Sequence, residues 1–189
     1  MTCIVAISDG ERVWMGSDSR RNRGEEIGPC TDSKLWTHEN QFGSWAIGFA
    51  GVAATAQVMK YMTWPDPATD IDPVSGDPEV YVASQLMPDL RKTMKESGRV
   101  EIKNGLETFE CNLLIGIKGV LFDVDGGFGV SKISRSYAAW GSGGAVALGS
   151  LGSTERRGSL DPKERLQEAL ELAAEVNRSV GPPFHFIEV

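Results

Sequence analysis

The second residue of the chain, Thr2, carries a hydroxyl group between the initiating methionine and a run of apolar residues. Removal of Met1 would place this hydroxyl and a free α-amine on the same residue. A free α-amine has a pKa of roughly 7.7 to 8.0, so near neutral pH part of it is unprotonated and can accept the hydroxyl proton, directly or through one water molecule. Thr2 is therefore the best-equipped nucleophile in the sequence. The small side chain behind Met1 predicts that a methionine aminopeptidase exposes it.

The residues after Thr2 predict a β-hairpin that returns to it. Residues 3–7 form an apolar run rich in β-branched side chains, which is typical of a buried strand, and residues 13–16 predict the returning strand. The Asp-Gly dipeptide at positions 9 and 10 supplies the turn between them. Such a hairpin carries Asp18 back beside Thr2.

A third strand, around residues 34–36, places the ammonium group of Lys34 at the same strand end. There the carboxylate of Asp18 and the ammonium can orient each other and lower the effective pKa of the nucleophile. Asp18 and Lys34 follow Thr2 by 16 and 32 positions. This spacing resembles the N-terminal threonine, aspartate and lysine of proteasome β subunits and of the bacterial HslV-type peptidase. The resemblance implies an N-terminal nucleophile hydrolase of the threonine-peptidase kind, with these three residues in its catalytic centre.

Two glycine-containing segments are also similar to this family. Residues 48–51, with the sequence Gly-Phe-Ala-Gly, resemble the family's segment after the next strand, which implies that the backbone N–H of Gly51 donates to the oxyanion. Residues 141–144 resemble the family's Gly-Ser-Gly motif, which implies that Ser142 lies near the N-terminal amine and helps to relay protons. The second segment does not match a phosphate-binding loop, because the Gly-x-Gly-x-x-Gly pattern is absent and no Lys-Ser or Lys-Thr follows.

The chain departs from the family shortly before its last strand. Members of the proteasome type carry an aspartate there and a serine three residues on, whereas the register anchored on Gly181 gives Asn177 and Val180. Asn177 can still form hydrogen bonds but brings no charge. We therefore keep Asn177 in the predicted catalytic set and expect the proton network around the amine to be weaker, rebuilt or absent.

The resemblance also implies a specificity pocket beside the third strand and the glycine segment. Four residues are expected to border the first side-chain site and two more to lie at its rim: Trp36, Gly48, Phe49 and Ala53, with Arg21 and Asp32 at the rim. Two of these side chains are large aromatics, which leave less room. We therefore expect small or modest apolar residues to be preferred before the scissile bond.

Size and charge exclude some other classes of function. A chain of 189 residues has the usual size of one domain, so we expect a single domain over residues 1–189. The formal net charge of −7 argues against nucleic-acid binding. The densest basic cluster, formed by Arg20, Arg21 and Arg23, is interpreted as a solvated loop.

Cysteine and histidine usage predicts neither a metal site nor a cofactor. Cys3, Cys30 and Cys111 lack metal-ligand spacing, and the two histidines have no Cys, Asp or Glu neighbour at such a spacing. Neither a signal peptide nor an apolar stretch of about 18 residues is visible, which predicts a cytoplasmic protein without a membrane span.

The remaining pattern predicts a mixed α and β domain. Helices are expected at residues 52–62, 80–97, 145–148 and after Asp161, and strands at residues 109–117, 120–124, 137–140 and 184–189, with an acidic loop at 63–78. Pro88 threatens a kink in the second helix. The apolar stripes of the second and last helices are predicted to face the core: Val80, Ala83, Leu86, Leu90 and Met94, and Leu166, Ala169, Leu170, Ala173 and Val176. This order suits an α+β four-layer αββα sandwich, although the four layers themselves come from the resemblance.

The function implied by the resemblance is a threonine-type endopeptidase that acts on peptides or unfolded proteins. Each residue alone has an ordinary alternative, since Thr2 is a common second residue and Asp18 and Lys34 can form a structural ion pair. Two other functions stay open. One is a catalytically inactive, proteasome-like structural subunit, and the other is an N-terminal nucleophile amidohydrolase acting on small amides.

An exposed nucleophile without a lid would cleave cellular proteins indiscriminately, so we expect a self-compartmentalising homo-oligomer, a ring or a helical assembly, to restrict access. An AAA+ ATPase is among the partners that the resemblance implies. Tyr81, Met87 and Met94 exceed what one narrow apolar stripe needs, and Trp64 lies in the proline-rich loop. The helix of residues 80–97 and this loop are therefore candidates for the subunit contacts, and each taken alone fits ordinary core or surface equally well.

Overall fold

The computed structural model of the chain describes residues 1–23, 26–28, 31–68, 71–72, 76–158 and 160–189. The strands are β1 (Cys3–Ser8), β2 (Val13–Asp18), β3 (Asn22–Arg23), β4 (Glu26–Ile27), β5 (Leu35–Asn40), β6 (Gly43–Gly51), β7 (Glu101–Lys103), β8 (Leu106–Thr108), β9 (Cys111–Ile117), β10 (Val120–Val124), β11 (Val130–Lys132), β12 (Tyr137–Gly141) and β13 (Phe184–Glu188). The helices are α1 (Ala53–Tyr61), α2 (Pro78–Tyr81), α3 (Met87–Glu96), α4 (Gly144–Arg157) and α5 (Pro162–Val176), and a π-helical segment (Val82–Leu86) joins α2 to α3.

Two antiparallel sheets form the centre of the molecule. The first has the strand order β12-β1-β2-β13 and the second the order β11-β10-β9-β6-β5. β1 and β2 form the predicted hairpin, with Ile4 paired to Ser17. β13 returns beside β2 and pairs Phe184 with Asp18. The N-terminal hairpin therefore lies in the middle of the first sheet. The last strand, β13, begins beside Asp18, at the end of the hairpin where the catalytic residues were predicted.

The two sheets face each other, and each carries helices on its outer side. Between the sheets, Ile4 of β1 packs in one cluster with Leu114 of β9. Helices α4 and α5 cover the first sheet, where Leu170 packs in the same cluster as Val5, and α1, α2 and α3 cover the second sheet. The predicted αββα sandwich is confirmed. Because β1 is buried on both faces, residues 3–7 form a continuous apolar run instead of an alternating one.

The last helix follows its sequence signals closely. Asp161 accepts a hydrogen bond from the N–H of Glu164, and the Glu164 side chain accepts one from the N–H of Asp161, which is a complete capping box. Four of the five predicted core residues are buried: Leu166, Ala169, Leu170 and Ala173. The prediction for Val176 is wrong, because it is the last helical residue and its side chain is exposed.

The second predicted helix is correct in extent but not in its first apolar positions. It begins at Pro78, because Asp77 caps it by accepting a hydrogen bond from the second N–H that follows. Val80 and Ala83 were predicted to face the core but are exposed. The π-helical segment Val82–Leu86 puts an extra residue into the turn that contains Ala83, and Tyr81 and Val82 are the buried residues there instead. The later stripe residues are buried as predicted: Leu86, Leu90 and Met94.

The residues predicted to form subunit contacts lie in the core of the single chain. Tyr81, Met87, Met94 and Trp64 are all buried. Trp64 packs against Trp45 with ring centroids 5.7 Å apart, and the Tyr81 hydroxyl donates a hydrogen bond to a backbone carbonyl of the proline-rich loop. Of the alternatives left open for these candidates, ordinary core is the one found, because the wide outer face of the second sheet needs more apolar side chains than one narrow stripe supplies.

Several short strands were not predicted from the sequence, namely β3, β4, β7, β8 and β11, each of two or three residues. Cys30, one of the three cysteines considered for a metal site, and Asp70, from the acidic loop, lie outside the described residues. In the described ranges, no helix is long and apolar enough to cross a membrane. The same residues contain no group of three or more His, Cys, Asp or Glu side chains arranged to hold a metal ion.

Candidate active site

A buried ion pair between Asp18 and Lys34 forms the centre of the candidate site. Asp18 is the last residue of β2 and Lys34 directly precedes β5, so the two facing sheets each contribute one member. Lys34 Nζ lies 2.7 Å from Asp18 Oδ1, and the two side chains are 3% and 0% exposed. Lys34 Nζ also donates to the backbone carbonyls of Arg20 and Met1, at 2.9 and 3.2 Å. All three hydrogen-bond donors of the ammonium therefore have acceptors.

Burial lowers the pKa of Lys34 below its usual value, because desolvation disfavours the charged form of the side chain. The carboxylate of Asp18 opposes this change, whereas the guanidinium of Arg21 adds to it. A lysine with a lowered pKa can take part in proton transfer closer to neutral pH than an exposed lysine can. The position and environment of Lys34 thus suit the chemistry predicted for it.

Asp18 also fixes the backbone on both sides of the site. Its Oδ1 accepts a hydrogen bond from the N–H of Cys3 at 2.8 Å, and its Oδ2 accepts one from the N–H of Gly181 at 3.4 Å. The first contact holds the start of β1, directly after Thr2. The second holds the segment before β13. One carboxylate therefore ties the beginning of the chain to its last strand.

Thr2 lies in the same cluster and is 3% exposed. Its Oγ1 donates a hydrogen bond to the carbonyl oxygen of Met1 at 2.7 Å, the same oxygen that Lys34 contacts. The N–H of Thr2 donates to Ser142 Oγ at 3.2 Å. The Thr2 carbonyl in turn accepts from the N–H of Gly143 at 3.2 Å and from Ser142 Oγ at 3.4 Å. The Gly-Ser-Gly segment is thus held against the main chain of the predicted nucleophile.

Gly141 permits this close approach. Its φ of +93° lies in the left-handed region, which glycine adopts more easily than other residues. A Cβ atom built at this position would overlap the carbonyl oxygen of Thr2. Any larger residue would therefore push the segment away from β1 and displace Ser142.

Asn177 contacts the backbone of Ser142 and not its hydroxyl. Asn177 Nδ2 donates to the Ser142 carbonyl at 2.8 Å, and its Oδ1 accepts from the N–H of Ser179 at 3.0 Å. Val180 is fully buried and packs against Gly143. Asn177 therefore holds the Ser142 backbone with an amide donor, where an aspartate carboxylate could only accept.

The two glycines of the Gly-Phe-Ala-Gly segment have different environments. Gly48 lies within β6 and packs between the sheets, where a Cβ atom would come within 2.7 Å of a methyl group of Ile4. Gly51 is the last residue of β6, is exposed, and pairs with Cys111 of β9. A Cβ atom on Gly51 would overlap the backbone carbonyl of Glu110. The oxyanion-hole role of Gly51 stays a prediction.

Arg20 holds the site together in a way that the sequence interpretation missed. Its carbonyl accepts a hydrogen bond from Lys34, and its Nη1 donates to the carbonyl of Arg178 at 2.9 Å. Its guanidinium lies against Gly181, where a Cβ atom would overlap it. The interpretation of Arg20 as part of a solvated loop is therefore incomplete. The sequence could have indicated this, because Arg20 follows Asp18 by two residues, and in an extended chain such residues lie on the same side.

A cavity of about 340 Å³ is lined by Ser33, the residue before Lys34, and by residues of β5, β6 and α1. Five of the six predicted pocket residues line it: Arg21, Asp32, Trp36, Phe49 and Ala53. Gly48 does not, because it packs between the sheets. The sequence interpretation missed the other lining residues, most of which belong to one face of α1: Ser33, Ala56, Gln57, Lys60 and Tyr61.

The two aromatic residues stand in the wall of this cavity. Trp36 and Phe49 are buried, and their ring centroids lie 6.1 Å apart. They pack in the core cluster of the second sheet and do not fill the opening. The volume that remains lies in the range of roughly 300–1,000 Å³ typical of ligand pockets. This removes the steric reason for expecting only small side chains in the pocket.

No protein-family model matches the sequence. Solved structures nevertheless resemble the whole chain. Thiobacillus denitrificans BPH, solved in complex with epoxomicin, superposes with a TM-score of 0.77 and 18% identity, covering 100% of this chain and 98% of that one. HslV from Trypanosoma brucei gives 0.69 and 19%, covering 99% and 98%. Anbu (ancestral beta-subunit) from Yersinia bercovieri gives 0.68 and 19%, covering 100% and 81%.

These similarities establish the fold over the full length of the chain. The neighbours are proteasome-like proteins of the N-terminal nucleophile type. The chain therefore has the αββα fold of proteasome-like N-terminal nucleophile hydrolases. The roles of individual residues rest on the contacts and distances described above.

Proposed function

We propose that the chain is a threonine-type endopeptidase in which Thr2, freed by removal of Met1, is the nucleophile. The observation that carries this proposal is the convergence of two groups on one oxygen. Thr2 Oγ1 and Lys34 Nζ lie 2.7 and 3.2 Å from the carbonyl oxygen of Met1. Removal of Met1 leaves both groups without that acceptor and facing the space it occupied, where a substrate carbonyl can bind.

In the proposed reaction, Thr2 Oγ1 attacks the carbonyl carbon of a peptide bond while the α-amine of Thr2 takes the hydroxyl proton, directly or through a water molecule. The N–H of Gly51 stabilises the oxyanion of the tetrahedral intermediate. The C–N bond then breaks, the leaving amine receives the proton, and an ester remains on Thr2. Water attacks this ester with the amine again acting as base, which releases the carboxylic acid product and restores the hydroxyl.

The surrounding residues position these groups and assist proton transfer. Lys34 Nζ contacts the same Met1 oxygen as the hydroxyl of Thr2, and its lowered pKa suits it to proton transfer at this place. Asp18 holds Lys34 in place through the 2.7 Å ion pair. Ser142 Oγ, 3.2 Å from the nitrogen of Thr2, relays protons to and from the amine. Asn177 holds the Ser142 backbone in this position.

The alternative functions fit the site less well. A small-amide hydrolase would enclose most of its ligand, whereas Tyr61 at the rim of the cavity is 78% exposed and leaves room for an extended peptide. An inactive structural subunit would use the hydrogen bonds of Asp18 to the backbone but would not need the buried charge of Lys34. A buried pair such as Asp18–Lys34 adds little net stability compared with apolar residues of similar size.

The amine of Thr2 can be tested with two forms of the chain. One begins at Thr2 after release from a removable N-terminal fusion, and the other carries one alanine in front of Thr2. We expect the first to hydrolyse fluorogenic peptide amides roughly 10²–10⁴ times faster, which is the range of general-base catalysis. Epoxomicin, which the T. denitrificans protein binds, should inhibit only the first form. Equal turnover by both forms would exclude the amine as the base.

We further propose that the peptidase is a homo-oligomer, either a ring or a helical assembly, and that an AAA+ ATPase acts with it. The candidate contact residues named from the sequence lie in the core, so the subunits would have to meet through other surfaces. Exposed apolar side chains occur on the β7–β8 hairpin, at Ile102 and Leu106, and on α5, at Leu172 and Val176. Sedimentation velocity should give a particle several times the 20.5 kDa mass of the chain. A stable monomer at working concentration would rule out this assembly.

A further inference from the structure

The charged residues that line the cavity are not balanced. Two of them are cationic, Arg21 and Lys60, and one is anionic, Asp32. Asp32 is 75% exposed and lies 3.8 Å from Arg21 Nη2, so this ion pair is weak and hydrated. Lys60 forms no ion pair within the described part of the chain, and its ammonium lies 5.7 Å from the ring centre of Tyr61. The outer part of the cavity therefore offers a positive charge without a counter-charge.

Helix α1 sets the distance from the catalytic end to this charge. Ala53 is the first residue of α1 and Lys60 the eighth, so their backbones lie about 10 Å apart along the helix axis. Ala53, Ala56, Gln57 and Lys60 follow each other at spacings that share one helix face, and all four line the cavity. A side chain that enters beside Phe49 thus meets an apolar surface first and a cation farther along.

The start of α1 adds to the positive character of the cavity. Val52, its N-cap, makes no capping hydrogen bond with its side chain, and the first turn contains no acidic residue. The partial positive charge at this helix terminus is therefore not compensated by a neighbouring side chain. This helix terminus lies two residues after Gly51, where the substrate backbone is expected to lie.

We infer that this cavity selects an acidic residue, glutamate before aspartate, immediately before the scissile bond, and that Lys60 binds its carboxylate. This inference rests on the proposed function and names the substrate class of the same site. The two methylene groups of glutamate can lie on the apolar surface formed by Trp36, Phe49 and Ala56 while the carboxylate reaches the cation. Aspartate is one methylene shorter and reaches less far along α1. A basic side chain at this position is repelled by Lys60 and Arg21.

Kinetic selectivity is measured with peptide amides that differ only in the residue before the scissile bond, which is Glu, Asp, Gln, Leu or Lys. We expect kcat/KM for the Glu substrate to exceed that of the uncharged Gln substrate about tenfold. Lys60→Met should remove this difference, and Lys60→Glu should reverse the order of the Glu and Lys substrates. Lys92→Glu is the matched control for Lys60→Glu. It makes the same change in net charge at an exposed position of α3 that does not line the cavity. It should leave the selectivity unchanged.

A binding experiment separates this inference from the proposed function. Acetylated tripeptide amides ending in Glu or Gln are titrated calorimetrically into the Thr2→Ala chain, which cannot form an acyl-enzyme through Thr2. The Glu peptide should bind about tenfold more tightly, and Lys60→Met in the same background should abolish the difference. If this preference is found but no peptide is hydrolysed, the peptidase proposal fails and the pocket assignment stands. If neither peptide binds preferentially, or if Lys60→Met leaves the preference intact, the pocket assignment is overturned whatever the hydrolysis assay shows.

Discussion

Replacing Thr2 with alanine should lower peptide-amide hydrolysis by roughly 10³- to 10⁶-fold, the scale of losses seen when a catalytic nucleophile is removed. The substitution deletes the Oγ1 atom that attacks the substrate but keeps the α-amine and the backbone contacts with Ser142 and Gly143. Only a hydroxyl and a methyl group are lost from a buried position, so the unfolding free energy should fall by about 1–2 kcal/mol. Steady-state kinetics and urea denaturation measure the two effects separately.

The matched control for this prediction is Thr2→Ser. Serine keeps both the hydroxyl and the amine, so this variant should retain measurable hydrolysis although its nucleophile is less restrained than a β-branched side chain. Activity in Thr2→Ala equal to that of the original chain would move the reaction to another nucleophile. Equal loss in Thr2→Ala and Thr2→Ser, accompanied by unfolding, would show that Thr2 serves packing.

Replacing Asp18 with asparagine should destabilise the chain by about 3–5 kcal/mol and abolish hydrolysis. Asparagine has nearly the same shape, so the hydrogen bond from the N–H of Cys3 can persist, but Lys34 is left as a buried charge without its partner. The carboxylate of Asp18 normally raises the pKa of Lys34 against the effect of burial. Its loss therefore lowers the pKa of Lys34 further. Chemical denaturation at neutral pH measures the loss of stability.

The pH dependence of this variant has a defined sign. Between the lowered pKa of folded Lys34 and its usual value in the unfolded chain, the unfolded state binds more protons than the folded state does. The unfolding free energy of Asp18→Asn should therefore rise as the pH increases through this range, more steeply than that of the original chain. A stability gap that does not narrow toward alkaline pH would contradict the assignment of the defect to Lys34.

A double variant distinguishes a catalytic pair from a purely structural one. Asp18→Asn combined with Lys34→Met removes both charges and should recover part of the stability lost in Asp18→Asn, because no unpaired ammonium remains buried. It should not recover hydrolysis, because the ammonium that contacts the same Met1 oxygen as Thr2 Oγ1 is gone. Full activity in the double variant would show that the pair is structural and that the proposed proton transfer does not involve it.

The local part of the site could be predicted from the sequence because short-range rules determine it. Residues 9–12 connect β1 to β2 in a hairpin, and the register of that hairpin carries Asp18 to the N–H of Cys3. Only one further strand, β5, has to be placed correctly for Lys34 to lie beside Asp18. The four helical and sheet layers, in contrast, came from the resemblance to a known family, since no local pattern specifies which sheet faces are covered.

Contacts over long sequence separations could not be derived in this way. Ser142 meets Thr2 across 140 positions of the sequence, and only the family resemblance suggested it. The contact of Asn177 with the Ser142 carbonyl depends on how the end of α5 meets the segment before α4, which periodicity does not encode. Lys60 was missed for a similar reason, because its position depends on which face of α1 is turned toward the cavity.

The second helix shows how tertiary packing overrides a local pattern. Val80 and Ala83 matched a helical stripe with period 3.6, but the π-helical segment shifted the buried face to Tyr81 and Val82. The predicted core positions are therefore exposed, and the two residues between them are buried. The same error made Tyr81 look like a residue left over for subunit contacts.

The most direct test of the account is the location of the acyl group during turnover. The chain that begins at Thr2 is mixed with a peptide ester, quenched with acid in the steady state and digested with trypsin, and the peptide of residues 2–12 is analysed by mass spectrometry. We predict that this peptide carries the acyl mass, that fragment ions place it on Thr2, and that the adduct is absent from Thr2→Ala and from the chain extended in front of Thr2. An active enzyme whose N-terminal peptide still contains Met1, or whose acyl group lies on another residue, would contradict the account.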